Sequence, residues 1–351
     1  WGTNAITIDS NGLNYQGDAD TYTVEYTTDG QSLNIVYSGS TKGWIPIEDD
    51  TVTEVPVAPS ANEEGIFMGG EAPLTGVSNL VSSTGVVASD VSAVATARMY
   101  IGACEYGNDK GIFGFGEIGD ASDVGYTNLV SNTGVIASDV TAVGTARRSL
   151  GACTYGGDKG IFGFGHATSA VCDITNLVSN AGVVASDVTG VGTARYDVVA
   201  CEYSANKDKG IFGYGHDGSS VISLTNLVSN AGVVASDVTG VGTARAAPAA
   251  CDYGGDKGIF GYGTADWSNW LSITNLVSNV GVVSTDVTGV GTARVSLAAT
   301  QYGGDKGIFG FGYDASGNTA VTNLVSNTGV VATDTTGVGT VRSRPGACSF
   351  N

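Results

Sequence analysis

The side chains best suited to catalysis or metal binding are two histidines and a few acidic residues in variable stretches. His166 and His216, the only histidines, occupy the same position in neighbouring copies of a repeated segment. Imidazole nitrogens bind zinc, but neither a cysteine nor a carboxylate cluster accompanies them, so no metal site is predicted. Hydrolysis of a glycosidic bond needs two carboxylates flanking it. The candidates are Glu117, Asp173, Asp217, Asp266 and Asp314.

Neither pattern is specific enough to predict an enzyme. Any acidic protein offers carboxylates of this kind, and the sequence has no G-x-S-x-G nucleophile motif, no phosphate-binding P-loop and no sialidase-type Asp-box. We therefore expect no catalytic residue, no metal and no cofactor. A glycan-cleaving depolymerase is kept as an alternative.

The loop 264–271 holds Trp267 and Trp270, the only tryptophans of the repeated region. Indole rings on an exposed connection suit stacking on sugar rings or anchoring a protein contact. The alternative is that one indole folds back over the strands beneath it or fills the mouth of a central channel.

These residues lie on a scaffold of six near-copies of one segment of about 49 residues. A fixed period of this size is typical of repeat proteins whose units bury apolar faces against their neighbours. Within each copy, ACxY, IFGFG or IFGYG, TNLVSN and GVVAS predict four short strands separated by Gly, Asn and Asp turns. The pattern predicts an all-β fold of four-stranded blades. Each copy ends at the arginine of a TAR motif, which reads TVR in the last copy; we call these the TAR arginines: Arg98, Arg147, Arg195, Arg245, Arg294 and Arg342.

The two ends of the repeated region complement each other. The first copy begins at Glu63–Gly70 without a preceding ACxY strand, and the last copy ends with such a strand at Gly346–Asn351. If the C-terminal strand pairs beside the N-terminal one, the chain forms six complete blades. A ring closed in this way leaves no unpaired sheet edge between its ends.

The order of elements in each copy resembles a kelch blade. Both have an arginine, four to five residues, a strand of small residues, a turn, and an aliphatic-aromatic strand ending in glycine. The copies depart from kelch in spacing their glycines as Gly-aromatic-Gly, as at Gly114 and Gly116, and in having Val-Val in place of the late tryptophan. The resemblance covers about 290 residues and implies a six-bladed kelch-like β-propeller. It implies no function, because such propellers include binders and enzymes.

Two stretches vary between copies: the four residues after each TAR arginine and the loop after FGFG or FGYG. If the four strands alternate in direction, both stretches open on the same face of the domain. Variation on one face of a constant scaffold is typical of a recognition surface, although unconstrained drift of loops would also produce it. We call this the variable face, and its predicted ligand-binding residues are Tyr100, Arg148, His166, Tyr196, Asp197, His216, Trp267, Trp270, Tyr313 and Arg344.

Residues repeated in nearly every copy are expected to serve the scaffold. One aspartate lies eight residues before each TAR arginine and another precedes the IFG strand, positions that suit turn caps or salt bridges between blades. Calcium binding is an alternative, but the spacing matches no EF-hand or nonapeptide calcium loop. Five cysteines share one position and are expected as small buried residues too far apart for disulfides, whereas Cys172 falls in a variable loop. The five are Cys104, Cys153, Cys201, Cys251 and Cys348.

Residues 1–58 differ from the copies and predict a small β module ahead of a propeller domain at 59–351. The stretches TYTVEYTT and QSLNIVYS flank Asp29-Gly30, a turn typical of a two-residue hairpin, and 55–60 reads as a stiff linker. The passage DGQSLNIVYSGSTKGWIPIEDD resembles a small β module of bacteriophage tail fibres and other virion appendages. The resemblance implies attachment to other virion proteins at the surface of the virion. A module this small buries little core alone, so it is expected to pack on the propeller, on copies of itself in a homo-oligomer, or on a carrier.

The composition excludes two classes of partner. The chain has 15 Lys and Arg against 34 Asp and Glu, a formal net charge of −19, which argues against binding of nucleic acid. It has no apolar run of membrane-spanning length and no signal peptide, so no membrane insertion is expected. Because the chain begins at Trp1 rather than methionine, a segment upstream of it is expected.

These features predict a non-enzymatic phage appendage protein, a tail fibre or similar, that binds a host surface receptor or glycan through its variable face. The main alternative is a structural decoration protein of the head or tail.

Overall fold

The computed structural model describes residues 6–17, 24–26, 33–48, 63–92, 94–141, 143–168 and 170–350. Their regular secondary structure consists of strands, which confirms the predicted all-β class. The described residues include no helix long and apolar enough to span a lipid bilayer. The chain divides into two compact units, Trp1–Pro59 and Ser60–Asn351, which we call the N-terminal unit and the repeat unit.

The described part of the N-terminal unit contains two antiparallel strand pairs. Its strands are β1 (Ile6–Ile8), β2 (Val24–Tyr26), β3 (Asn34–Tyr37) and β4 (Trp44–Glu48). β1 pairs with β2, and β3 pairs with β4. The predicted hairpin would instead pair β2 with β3; its Asp29-Gly30 turn and the predicted linker at 55–60 lie outside the described residues. Among the described residues, both strands therefore have partners other than the predicted one.

The repeat unit consists of short strands that follow the sequence copies. In chain order they are β5 (Glu64–Gly70), β6 (Thr75–Val81), β7 (Gly102–Tyr106), β8 (Lys110–Gly114), β9 (Tyr126–Val130), β10 (Val140–Thr141), β11 (Gly151–Tyr155), β12 (Lys159–Ala167), β13 (Ala170–Val178), β14 (Val199–Tyr203), β15 (Lys209–Gly213), β16 (Thr225–Val228), β17 (Ala249–Tyr253), β18 (Lys257–Gly261), β19 (Thr274–Val277), β20 (Ala298–Tyr302), β21 (Lys306–Gly310), β22 (Tyr313–Asp314), β23 (Gly317–Asn318), β24 (Thr322–Val325) and β25 (Gly346–Phe350).

These strands form six antiparallel sheets and one small extra hairpin, β22-β23. We number them sheet 1 (β25-β5-β6), sheet 2 (β7-β8-β9-β10), sheet 3 (β11-β12-β13), sheet 4 (β14-β15-β16), sheet 5 (β17-β18-β19) and sheet 6 (β20-β21-β24). In sheet 1 the C-terminal β25 pairs with β5 over its whole length, from Gly346 opposite Met68 to Phe350 opposite Glu64. Residues from the two ends of the repeat unit thus share one sheet.

The fourth strand predicted at GVVAS and its equivalents is wrong for all six sheets, since none of these segments forms a named strand among the described residues. In every sheet this segment makes only isolated bridges, such as Val178 to Val184, and the one fourth strand among the described residues, β10 of sheet 2, lies beyond it. The reason is a side chain: Asn176 Nδ2 donates to the carbonyl of Ala185 and to Asp187, at 3.0 and 2.8 Å. An asparagine amide that bonds the backbone competes with the regular ladder of a sheet.

The first strands of the six sheets, β7, β11, β14, β17, β20 and β25, contact one another in a cycle. Each lies against the first strand of the sheet before it and of the sheet after it, and β25 lies against both β20 and β7. Apolar residues fill the space between neighbouring sheets. Between sheets 3 and 4, for example, Phe164 and Phe212 meet edge to face with ring centroids 5.2 Å apart.

The TAR arginines are fully buried and join neighbouring sheets. The guanidinium of Arg195 lies 4.1 Å above the ring of Phe164 and donates to the Tyr214 carbonyl and to Asn226 Oδ1 of sheet 4, at 2.9 and 2.6 Å. The next aspartate, Asp237, lies 3.8 Å from the same guanidinium and accepts hydrogen bonds from Thr193. These aspartates thus act as both caps and bridges between copies.

The five repeated cysteines are buried and form no disulfide. Their thiols face the glycine at the second position of the second strand of the next sheet, as Cys104 faces Gly160. Cys172, expected in a loop, lies on β13, where its thiol donates to the carbonyl of Gly165 at 3.3 Å.

Candidate functional site

A ring of six backbone hydrogen bonds surrounds the end of the cycle where the variable stretches lie. The second residue after each TAR arginine donates its N–H to the carbonyl of the equivalent residue in the copy before it, and the first donates to the last. The distances lie between 2.7 and 3.2 Å. The six residues of this backbone ring are Tyr100, Ser149, Asp197, Ala247, Ser296 and Arg344.

All six residues of the backbone ring have left-handed backbone conformations, with φ between 48° and 60°. Side chains other than glycine, asparagine and aspartate rarely adopt this region, and such strain is held only where the surrounding structure enforces it. The conformation turns each chain sharply after its arginine. Both variable stretches therefore meet, since the residue after each arginine bridges the loop residue after FGFG or FGYG, as Arg148 bridges His166.

A cavity of about 280 Å³ opens at this ring, and we call it the mouth cavity. It is lined by Tyr100, Arg148, Ser149, His166, Tyr196, Asp197, Trp267 and Arg344. Seven of these eight belong to the predicted variable face. The structure leaves His216, Trp270 and Tyr313 outside the lining: His216 packs on Tyr196, and Trp270 packs edge to face on Tyr313 at 5.5 Å.

Both arginines of the mouth cavity already have carboxylate partners. Arg148 lies 2.8 Å from Asp123 and 3.2 Å from Glu117. Arg344 lies 2.5 Å from Glu71, and its guanidinium covers the ring of Tyr100 at 4.3 Å. Neither arginine therefore presents an uncompensated positive charge to a ligand.

Asp197 is the buried acid of the mouth cavity. Burial raises the pKa of its carboxyl to about 6, although a hydrogen bond with Ser149 and the charges of Arg344, His216 and Arg148 oppose the shift. At neutral pH the carboxylate form prevails, and it is a strong hydrogen-bond acceptor. The cavity thus has an acceptor at the backbone ring and aromatic rings on its walls.

The aromatic walls are held by packing and by turn contacts. The rings of His166 and Tyr196 meet at 5.6 Å and 82°. Trp267, with φ of 64° and nearly half of its surface exposed, is fixed by a 2.8 Å hydrogen bond from its N–H to Thr264 Oγ1. An exposed indole held in a strained backbone is poised for a contact rather than for core packing.

Four of the five acidic candidates for glycosidic chemistry, all except Asp173, have partners within the protein. Glu117 forms an ion pair with Arg148. Backbone hydrogen bonds from its own turn lower the pKa of Asp217, and the hydroxyl and backbone N–H of Ser268 lower that of Asp266. Asp314 likewise accepts from the backbone of Ser316. Within the described ranges, no group of three or more His, Cys, Asp or Glu side chains is arranged to hold a metal ion.

Sequence reasoning missed Ser149 and the acids that bind the two arginines, Asp123 and Glu71. Asp123 and Glu71 lie in the variable loop that follows the IFG strand. The variation of this loop between copies was the signal that could have identified both acids. No sequence pattern identified Ser149, because the six residues of the backbone ring differ in type from copy to copy.

No protein-family model matches this sequence, and no curated protein is significantly similar to it.

Proposed function

We propose that the repeat unit is a six-bladed, kelch-like β-propeller that binds a glycan in the mouth cavity, without catalysis. The cyclic contacts of the first strands, the pairing of β25 with β5 and the backbone ring support the propeller architecture. The observation that carries the binding proposal is the mouth cavity itself, which gathers seven diversified residues at one place.

The chemistry of the mouth cavity fits a neutral, hydroxyl-rich ligand. Aromatic faces stack on the apolar faces of sugar rings, and carboxylates accept hydrogen bonds from hydroxyl groups. An anionic ligand is disfavoured because Arg148 and Arg344 are each paired with acids and Asp197 adds a further negative charge. The volume lies at the lower limit for ligand pockets, which suits one sugar residue of a longer chain.

We place this binding in the setting of a phage virion appendage that recognises the host surface. The support is the resemblance of the passage within residues 29–50 to modules of virion proteins. In that setting the N-terminal unit attaches the repeat unit to other virion proteins, and the mouth cavity binds host glycan.

Titration calorimetry of the full chain with neutral, acidic and amino sugars, and with host surface polysaccharide, tests the proposal. We expect binding of neutral sugars. Trp267→Ala should weaken it at least tenfold, about 1.4 kcal/mol, because an aromatic wall is lost. Tyr313→Ala is the matched control, since this ring lies on the same face but outside the mouth cavity.

Equal affinity in Trp267→Ala and the native protein would remove the mouth cavity from recognition. Release of reducing ends from the polysaccharide would replace binding by catalysis. Full adsorption to host cells of phage particles that carry Trp267→Ala would count against the virion role. Sugar binding by the mouth cavity would still be decided by the calorimetry.

A further inference from the structure

The end of the first strands away from the mouth cavity carries an oxygen-bearing side chain in every copy. The residue before the closing aromatic of each first strand is Glu105, Thr154, Glu202, Asp252, Gln301 or Ser349. All six line one cavity of about 50 Å³, which we call the acidic cavity. It has room for about one or two water molecules and none for a sugar.

A lysine reaches this acid cluster from an enlarged turn. The turn between β14 and β15 is two residues longer than the equivalent turns, which read Gly-Gly-Asp or Gly-Asn-Asp, and the insertion carries Lys207. Its ammonium lies 3.1 Å from Glu202 and 2.8 Å from Gln301, with Glu105 and Asp252 at 3.8 and 4.0 Å. One lysine therefore serves three carboxylates contributed by three different sheets.

The charges around this lysine do not balance if every acid is ionised. Three carboxylates face one ammonium, and none of the described residues that line the acidic cavity is Lys, Arg or His. The cysteines beside the acids, Cys104, Cys153, Cys201 and Cys251, supply no charge, because burial raises the pKa of each thiol. Two negative charges would remain in a buried space, at high cost in free energy.

The hydrogen bonds of two of these acids also indicate that a proton is missing. Glu202 and Asp252 lie on neighbouring first strands and are each more than nine-tenths buried. Glu202 Oε2 and Asp252 Oδ2 have no hydrogen-bond donor among the described residues. The two carboxyls are nevertheless placed to hydrogen-bond with each other, which requires that one of them carry a proton.

We propose that Glu202 and Asp252 form a proton-binding site in which one proton is shared between the two carboxyls, and that this proton and Lys207 together close the end of the acidic cavity. The proton supplies the missing donor and removes one of the two excess charges. Its release to solvent leaves two carboxylates facing each other across β14 and β17. Raising the pH therefore loosens this end of the repeat unit.

The raised pKa values of Glu202 and Asp252 agree with a shared proton. Burial raises the pKa of Glu202 to about 7 and that of Asp252 to about 6, against the opposing charge of Lys207. Two interacting carboxyls titrate as a pair, so the proton belongs to both. Release is expected close to neutral pH.

Infrared difference spectroscopy of the full chain, recorded while the pH is raised from 5 to 9, tests the proposal. We expect a carboxylic-acid C=O band that disappears near pH 7 in the native protein and is absent from the Glu202→Gln difference spectrum. Asp197→Asn is the matched control, because it removes the buried acid of the mouth cavity and should leave this band in place.

Asp252→Asn provides a second variant should Glu202→Gln fail to fold, and it should likewise remove or shift the band. A band unchanged in both variants overturns the proposal. Stability that depends on added calcium and is insensitive to pH also overturns it, since a metal ion would then be the compensating charge.

Discussion

At the scale of single residues, the TAR arginines stabilise the interfaces between neighbouring sheets, which we call joints. Each guanidinium lies between the copy that contains it and the next copy, as Arg195 lies between Phe164 and Asn226. Burial lowers the pKa of Arg195 to about 10, so it keeps its charge at neutral pH. The joint between sheets 1 and 2 is different: Arg98 has no aromatic ring beneath it, because Gly69 stands where later copies have Phe or Tyr.

Replacing Arg195 with alanine is therefore expected to cost more than replacing Arg98. The first substitution leaves Asn226 Oδ1 and the Tyr214 carbonyl without their donor and removes a cation–π contact, for a loss of about 3 kcal/mol of unfolding free energy. Arg98→Ala, which loses no ring contact, should cost about 1 kcal/mol less. Urea denaturation measures both; equal losses, or altered ligand affinity at unchanged stability, would contradict the framework role.

The buried acids predict how stability depends on pH. The folded-state pKa values of Glu202 and Asp252, about 7 and 6, exceed their usual values of 4.5 and 3.8. The folded protein therefore retains protons that the unfolded chain has released, and stability falls as the pH rises from about 4 to 7. We expect a fall on the order of 2 kcal/mol from this pair. Glu202→Gln should flatten it, and an equally steep profile in this variant would refute the assignment.

At the scale of elements, close approach between sheets fixes which residues each strand accepts. A Cβ atom added at Gly160 on β12 would lie 2.5 Å from the thiol sulfur of Cys104 on β7. This pairing of cysteine and glycine recurs at most joints, and Thr300 replaces the cysteine facing Gly65. The cysteines are therefore spacers between sheets.

Gly160→Ala should destabilise the repeat unit by about 2 kcal/mol, because an overpacked joint must shift. In a Cys104→Ala background the penalty should fall below about 1 kcal/mol, since the sulfur is gone. The double-mutant cycle, measured by urea denaturation, isolates the contact. If the losses of unfolding free energy from the two substitutions simply add, the strain does not come from the contact between positions 104 and 160.

Removal of residues 346–351 deletes β25. The edge of β5 then loses every partner on that side, and β20 and β7 lose the strand between them. We expect a melting temperature lower by several degrees and stronger binding of a hydrophobic dye, because apolar residues such as Phe350 no longer cover sheet 1 and sheet 2. An unchanged melting temperature would show that β25 is dispensable.

The strands that the sequence predicted correctly are those whose pattern depends on backbone pairing and burial, namely ACxY, IFG and TNLVSN. The fourth strand failed because the side chain of Asn176 and its equivalents takes over the hydrogen bonds. At the site, the variable loops were recognised from their differences. The left-handed backbone ring was not, because glycine, the usual signal for this conformation, occurs at none of its six positions. The contact of Lys207 with the acids of the acidic cavity could not be predicted either. The sequence shows that this turn is longer, but not where its lysine side chain points.

At the scale of the whole molecule, the repeat unit holds its two ends in one sheet. Asp90 near the start accepts hydrogen bonds from Thr340 near the end, and Arg342 donates to Asn79 at 2.7 Å. The joint between sheets 6 and 1 is therefore built in the same way as the joints between consecutive copies. Its parts lie about 250 residues apart along the chain, and Thr300 takes the place of the cysteine that most other joints have.

The shared sheet has a consequence for biosynthesis. Among the strands of the repeat unit, β5 leaves the ribosome first and its partner β25 last, so the edge of β5 stays unsatisfied throughout translation of this unit. An exposed strand edge pairs readily with a matching strand from another chain. Neighbouring nascent chains on one messenger can therefore exchange their C-terminal strands, and dilute conditions or slow initiation should favour the monomer over strand-swapped chains.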